Sequence, residues 1–334
     1  DLGSIKSKYD CLLGANLHPS VPVDRHVLAK RVRVWCNAGG FISPLRAENL
    51  HRFSAGERPR WEFIANAGDA RAVCIQMDAF MVQGSNTTVL RFRRPNETPE
   101  HAFDFPKDCP STLTVRIDVE DRNFHSETKR NGGAEHHFQS NCRSLSGRTG
   151  FEFTPARDRQ LRVVSSSGAY HHESEWATNI PHIVEQSRGQ EGGGDAFSPG
   201  WFEIPLKAGQ EVTFVVTTEP LDARVEGLLR GGEAGDTVFA GKDWFADALR
   251  EACRAYVVRR DDGKTVIAGY PWFLDWGRDT LIAARGLIAG GMTEDVRRIL
   301  TTFGRFEDRG TLPNTIHGEN TSNRDTVDAA LWFG

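Results

Sequence analysis

The stretch Ala268-Gly269-Tyr270-Pro271-Trp272-Phe273-Leu274-Asp275-Trp276-Gly277-Arg278-Asp279-Thr280 crowds aromatic rings, acids and an arginine ahead of an apolar run. A sugar presents weakly apolar C–H faces and polar edges, so a glucose pocket needs aromatic walls and a charged fork for the hydroxyls. Trp272 and Trp276 are candidate walls, and Arg278 and Asp279 a candidate fork. Asp279 also stands at a helix start, where the dipole favours its anionic form. The same residues would serve as the filling of a domain interface, with Asp279 capping the helix and pairing with Arg278. Spacing alone leaves both readings open.

A second cluster runs from Leu312-Pro313-Asn314 through Asn323-Arg324-Asp325-Thr326-Val327-Asp328 to Leu331-Trp332-Phe333. In a helix, Asp325 and Asp328 would share one face, with Trp332 four residues beyond Asp328. Neighbouring carboxylates push one pKa upward and can divide acid and base roles. They also make an ordinary N-cap and first-turn acid, and both alternatives stand.

Other chemistries find no anchor. Asp118–His125 and the pairs His136-His137 and His171-His172 lack the fixed spacing of a zinc site and their histidines read as solvated loop residues, so no metal is expected. There is no Gly-x-Ser-x-Gly elbow and no strand followed by Gly-x-Gly-x-x-Gly, so no hydrolase triad or dinucleotide cofactor is expected. The Gly189–Gly194 stretch lacks the Lys-Ser/Thr of a phosphate loop and reads as an exposed loop.

The elements that would carry these residues change character along the chain. Up to about residue 220, short Val/Ile/Thr/Phe-rich runs alternate with charged residues, as in Val32-Arg33-Val34-Trp35 and Val115-Arg116-Ile117-Asp118-Val119. Turn-forming clusters separate them, which predicts antiparallel strands in a sandwich. Later the period becomes helical. Helices are expected over Trp244–Arg259, over Thr280–Ala289 with a stop at Gly290-Gly291, after Thr293 as N-cap, and from Asp325 to Phe333, with no strand between them. A β region followed by an all-α region predicts two domains, 1–220 and 244–334, joined by 221–243 with Arg230–Gly235 its most flexible point.

The bulk numbers fit a globular protein: 334 residues, 39% hydrophobic, 26% charged, net charge -4. No long basic run marks a nucleic-acid partner, and no apolar stretch is long enough for a membrane helix. No signal peptide is visible at Asp1–Tyr9. The six scattered cysteines carry no Cys-x-x-Cys pair and read as reduced thiols of a cytoplasmic protein, with one or two disulfides in an exported protein the minority view. Oligomeric state leaves no trace in the pattern.

The run Lys264–Phe273, continued by Trp276-Gly277-Arg278-Asp279-Thr280, resembles the opening of the amylo-α-1,6-glucosidase domain of prokaryotic glycogen debranching enzymes. The likeness continues through Ile299-Leu300, Leu312-Pro313-Asn314, Asp325–Ala329 and Leu331-Trp332-Phe333. Upstream, Lys8-Tyr9, Arg25–Lys30, Arg122–His125 and Gly194–Gly200 resemble that family's N-terminal domain. Asp10-Cys11 after Tyr9, and Ala330 in place of a common Pro, depart from the family pattern.

The resemblance implies a multidomain β-then-α chain: an antiparallel β-supersandwich followed by the first helices of an incomplete (α/α)6 barrel. It implies a branched α-glucan substrate, glycogen or limit dextrin, and an inverting hydrolysis of α-1,6 linkages using two carboxylates ~6.5–9.5 Å apart. By similarity to (α/α)6 glucoamylases, Trp276, Arg278 and Asp279 would bind the terminal glucose in subsite -1, with Trp272 a further substrate-binding wall and Asn323 and Asp325 or Asp328 lining the same pocket. A full toroid needs on the order of 300 residues. The general acid and base are therefore expected beyond Gly334, and the chain by itself is expected to be inactive. An accompanying 4-α-glucanotransferase activity is left open. The rival expectations are another (α/α)6 glycosidase of the glucoamylase type and a non-catalytic carbohydrate-binding protein.

Overall fold

The computed structural model describes residues 5–18, 20–55, 58–99, 103–231 and 244–334. The chain divides into two compact units, Asp1–Ala15 with His26–Thr237, and Asn16–Arg25 with Val238–Gly334.

The first unit is built on two eight-stranded antiparallel sheets. In the first sheet the long strands Arg25–Ala38 and Ser111–Asn123 pair along most of their length, from His26↔Asn123 to Asn37↔Thr112. Alternation fixes their faces. Leu113, Val115 and Ile117 are fully buried while Thr112, Thr114 and Arg116 are not, the period-two signature of a half-buried strand. The second sheet runs in the order Leu50–Ala55, Pro59–Asn66, Ala72–Met81, Thr87–Arg93, Glu211–Thr217, Arg159–Ser165, Thr149–Ala156, Cys142–Ser144. Phe202 of the first sheet meets Phe214 of the second edge-on at 5.0 Å between ring centres, so the inner faces share one core.

Thr87–Arg93 and Glu211–Thr217 are buried on both faces. Part of the outer face is covered by the helix Ala223–Leu229, which adds Val225 and Leu228 to Val82, Val89 and Val215. Asp222 caps this helix, accepting from Arg224 N at 2.9 Å and Val225 N at 3.1 Å, a contribution of about 1 kcal/mol. The segment whose composition suggested a joint thus opens with an ordered helix. The remainder of that joint, 232–243, lies outside the described residues.

The acidic run Asp118–Asp121 is an ion-pair lattice. Asp118 accepts from Arg31 at 2.7 Å and from Arg33 at 2.7 Å, and Glu120 accepts from Arg122 at 2.9 Å. Asp121 takes His26 Nε2 at 2.8 Å, His137 Nε2 at 3.0 Å and Arg159 Nε at 2.7 Å, tying strands of both sheets to the helix Gly132–Asn141. The expectation of solvated loop histidines therefore fails for His137, and also for His171, which stacks on Trp201 at 4.0 Å. Charged partners far away in sequence order these rings.

In the second unit the helices are Trp244–Tyr256, Gly277–Ala289, Thr293–Gly304 and Asp328–Phe333 among the described residues. Two small antiparallel ladders interrupt the expected helix-after-helix order: Val257–Arg260 with Gly263–Val266, and Asp275–Trp276 with Thr315–Ile316. The first is a tight hairpin. Asp261 adopts φ 47°, a conformation that short polar residues tolerate, and the β-branched Val257 and Val258 enter it directly from the helix. Thr293 is the first helical residue and not the cap, a position held by Met292. Val296, Ile299 and Phe303 line one face of their helix and bury against Val266, Ala284, Leu287 and Ile316.

Candidate functional site

The turn leading into the helix Gly277–Ala289 is folded on itself. Ala268 N donates to Leu274 O at 3.2 Å, Phe273 N to Ala268 O at 3.2 Å and Trp272 N to Gly269 O at 3.1 Å. Gly269 has φ 53°, and a Cβ there would meet the Phe273 ring at 2.3 Å, so only glycine closes the turn. Tyr270 and Phe273 are left exposed while Trp272 is half-buried. Tyr270 packs edge-on against Tyr256 at 5.3 Å.

Behind this turn Asp275 is buried and receives Arg260 Nη1 at 2.8 Å, both side chains being 1% exposed. Arg260 also donates to the Gly318 carbonyl. Burial pushes the Asp275 carboxyl above its ordinary pKa even with the guanidinium beside it. The next residue, Trp276, pairs with Thr315 and is the N-cap residue of the helix. Then comes Gly277, whose N donates to Asn314 O at 2.9 Å. A Cβ on Gly277 would lie 2.6 Å from Pro313 O and 3.0 Å from Ala329 Cβ. The Leu312-Pro313-Asn314 loop therefore presses against the helix start.

Asn314 is the hub. Its N donates to Asn323 O at 2.7 Å and its Oδ1 accepts from Thr326 Oγ1 at 3.2 Å. From the first turn of the helix, Arg278 Nη1 donates to Asp328 Oδ2 at 2.9 Å. The Asp328 carboxyl is held below its ordinary pKa by the Thr326 hydroxyl first and the Arg278 guanidinium second.

Of the residues singled out by sequence, the structure thus joins Arg278 to Asp328 and connects Trp276 to Asn323 through the 314–315 loop. Asp279 is exposed in the first turn beside Arg278. Asp325 is exposed but lies three residues before the helix Asp328–Phe333, so the helix face it was to share with Asp328 does not form. Arg324 anchors that extended stretch instead, reaching Phe306 O at 2.6 Å and Thr311 O at 3.0 Å. Asp275, Gly277 and Asn314 were not read as site residues. Asp275 was visible only as one more acid in the motif, because its partner lies 15 residues upstream.

Chemically, the turn and the first turn of its helix offer the exposed rings of Tyr270 and Phe273, the half-exposed Arg278 guanidinium and the exposed Asp279 carboxylate. That set suits a neutral polyhydroxyl ligand. Among the described residues no cluster of His, Cys, Asp and Glu could hold a metal ion.

Residues 2–213 match the family described as glycogen debranching enzyme N terminal, and residues 211–334 match amylo-alpha-1,6-glucosidase. The chain belongs to the glycogen debranching enzyme family, within the glycoside hydrolases. No individual curated protein sequence matches it. Among solved structures it is similar to a bacterial glucoamylase complexed with acarbose, at 12% identity and a TM-score of 0.46, covering 94% of this chain and 50% of that one. It is also similar to heparan sulfate lyase HepC from Pedobacter heparinus, at 12% identity and a TM-score of 0.30, over 58% of this chain and 23% of that one. Heparinase III matches at 11% identity and a TM-score of 0.29, over 56% of this chain and 24% of that one. The chain spans half the length of the glucoamylase it matches.

Proposed function

We propose that this chain supplies the glucose-gripping part of an α-1,6-glucosidase that removes branch stubs from glycogen or limit dextrin. On this reading the second unit, from residue 244, opens an (α/α)6 catalytic domain, and the first unit is its N-terminal β domain. Trp272 and Trp276 wall the terminal glucose, Arg278 and Asp279 hold its adjacent hydroxyls, and Asn323, Asp325 and Asp328 complete the rim.

The observation that carries the reading is the Arg278–Asp328 pair. It brings the two family motifs, 50 residues apart, to one helix N-terminus, where the Asn314 hub locks them. A guanidinium already held by one carboxylate keeps its remaining N–H donors in fixed directions, which lowers the entropy cost of binding a sugar. The reaction is an inverting one, in which an acid protonates the leaving oxygen while a second carboxylate activates water. The residues of this chain act on the substrate by position, and proton transfer is assigned to none of them.

The test is binding of a maltooligosaccharide bearing a single α-1,6-linked glucosyl stub, compared with its linear counterpart. The branched ligand should bind more tightly, and Asp279→Asn should remove that preference. Equal affinity for both ligands, or an undiminished preference in the variant, would overturn the assignment.

A further inference from the structure

Within the first unit, residues 5–12 form neither helix nor strand. They contribute Ile5, Asp10, Cys11 and Leu12 to the lining of a cavity of about 280 Å³ between the two sheets. A segment outside a sheet must find partners for its backbone polar groups elsewhere. Here buried charges supply them. Lys30 Nζ donates to Lys8 O at 3.0 Å and to Ser7 O at 3.3 Å, and Arg122 Nη2 donates to Lys8 O at 2.7 Å. Glu185 accepts from Ser7 Oγ at 2.7 Å and from Lys8 N at 3.1 Å.

The strap also holds on through its own side chains. Lys8 Nζ donates to His125 O at 2.8 Å and stands 3.5 Å from Glu127 Oε1. Two histidines bracket this pair. His125 Nδ1 and the Tyr9 hydroxyl are hydrogen-bonded at 3.2 Å. His182 is 0% exposed, and its Nδ1 lies 3.3 Å from Glu127 Oε2.

We propose that residues 5–12 are an acid-released lid on the β unit, latched at neutral pH by Lys8 and unlatched when His125 and His182 take up protons. An imidazole gains its charge in mildly acidic water. On His125 the proton sets a cation beside Lys8 and removes the acceptor nitrogen that faces Tyr9. On His182 it draws Glu127 away from Lys8. Both changes loosen the same strap, whatever the second unit binds.

The other ionisable groups around the latch fix the sign. Burial first and Lys8 second push the His125 imidazole below its ordinary value while the strap is in place. The lifted strap restores it to about 6.5, so the open state gains as pH falls below that value. Glu120 faces Arg122, Lys30 and His182, and burial pushes its carboxyl up, so its protonation favours the closed state and opposes release. Burial also pushes Glu127 up, but His182, Arg122 and Lys8 outweigh it and hold the carboxyl below its ordinary value, so Glu127 stays charged in mild acid. The Tyr9 hydroxyl is pushed up by burial and by Glu185 and Glu127, and stays protonated.

Hydrogen exchange of the full chain, corrected for intrinsic rates, tests the lid. Between about pH 7.5 and about pH 5.5, protection of the 5–12 peptide should fall on the order of tenfold, the effect of one pKa unit between closed and open states. The strand Glu211–Thr217 should keep its protection. His125→Gln, at an exposed position, should cut the fall to a few-fold, and adding His182→Gln should abolish it. Lys8→Met should lower the protection already at neutral pH and flatten its pH dependence. Equal protection of the wild-type strap at both pH values would overturn the proposal. So would a full fall retained in both His125→Gln and Lys8→Met, or a fall that Glu211–Thr217 shares.

Discussion

Arg260 and Asp275 form an ion pair in which each side chain is only 1% exposed, one residue before the tryptophan that leads into the Arg278/Asp279 helix. A charge pair removed from water so completely stabilises only while both partners are present. Asp275→Ala strands the guanidinium and should cost about 3–5 kcal/mol, read as a shift in the urea midpoint. The double change Arg260→Met with Asp275→Leu should recover most of that loss. A single variant as stable as wild type would show that the pair does not hold the turn.

Gly277 has no room for a side chain, with Pro313 O and Ala329 Cβ at 2.6 and 3.0 Å from its missing Cβ. Gly277→Ala must push the 312–314 loop away from the helix start, at a cost of roughly 1–3 kcal/mol. Because the same loop carries the Asn314 hub, binding of the branched maltooligosaccharide should weaken as well. In an ordinary helix this substitution would stabilise by up to about 1 kcal/mol, so a raised melting temperature would refute the packing argument.

The Arg278–Asp328 pair is largely solvated, with side chains 55% and 30% exposed. Exposed ion pairs add little to stability. Arg278→Ala should therefore leave the melting temperature nearly unchanged while reducing affinity for the branched ligand by on the order of tenfold or more, as loss of a charge-assisted hydrogen bond does. A large fall in melting temperature with intact binding would reverse the roles assigned here.

How much of this was legible in sequence can be judged from the same residues. The helix over Gly277–Ala289 and its stop at Gly290 follow from apolar spacing and glycine chemistry, both local properties. So do the alternating strands at Val32–Trp35 and Val115–Val119. The hairpin at Val257–Val266 was hidden because its four-residue strands continue a helical pattern, although Asp261-Asp262-Gly263 carried a turn signal. The Arg260–Asp275 pair and the Asp121 cluster were illegible for another reason. Their members lie 15 to 95 residues apart, and only the fold makes them neighbours. Within the site, the motif residues and the Leu312-Pro313-Asn314 loop could be named, but the contacts by which that loop locks the others could not.

Asp121 gives the β unit an acid-sensitive clip. Burial alone would raise its carboxyl pKa, but hydrogen bonds from His26, Arg159 and His137 hold it well below the ordinary carboxylate range. A carboxylate depressed in the folded state stabilises fully above its unfolded value of about 3.9 and loses that contribution as pH falls toward the folded value. Asp121→Asn should cost about 3 kcal/mol at pH 7, and the gap from wild type should narrow below about pH 4. A gap independent of pH would mean that the charge does not matter.

On the proposed function, the turn from Trp272 to Asp279 grips a terminal α-1,6-linked glucose. A crystal structure of the chain with the singly branched maltooligosaccharide tests it most directly. The stub glucose should lie with hydroxyls within about 3.2 Å of the Arg278 guanidinium and the Asp279 carboxylate, its ring against an indole of the turn. A stub bound elsewhere, with Arg278 and Asp279 untouched by sugar, would contradict it.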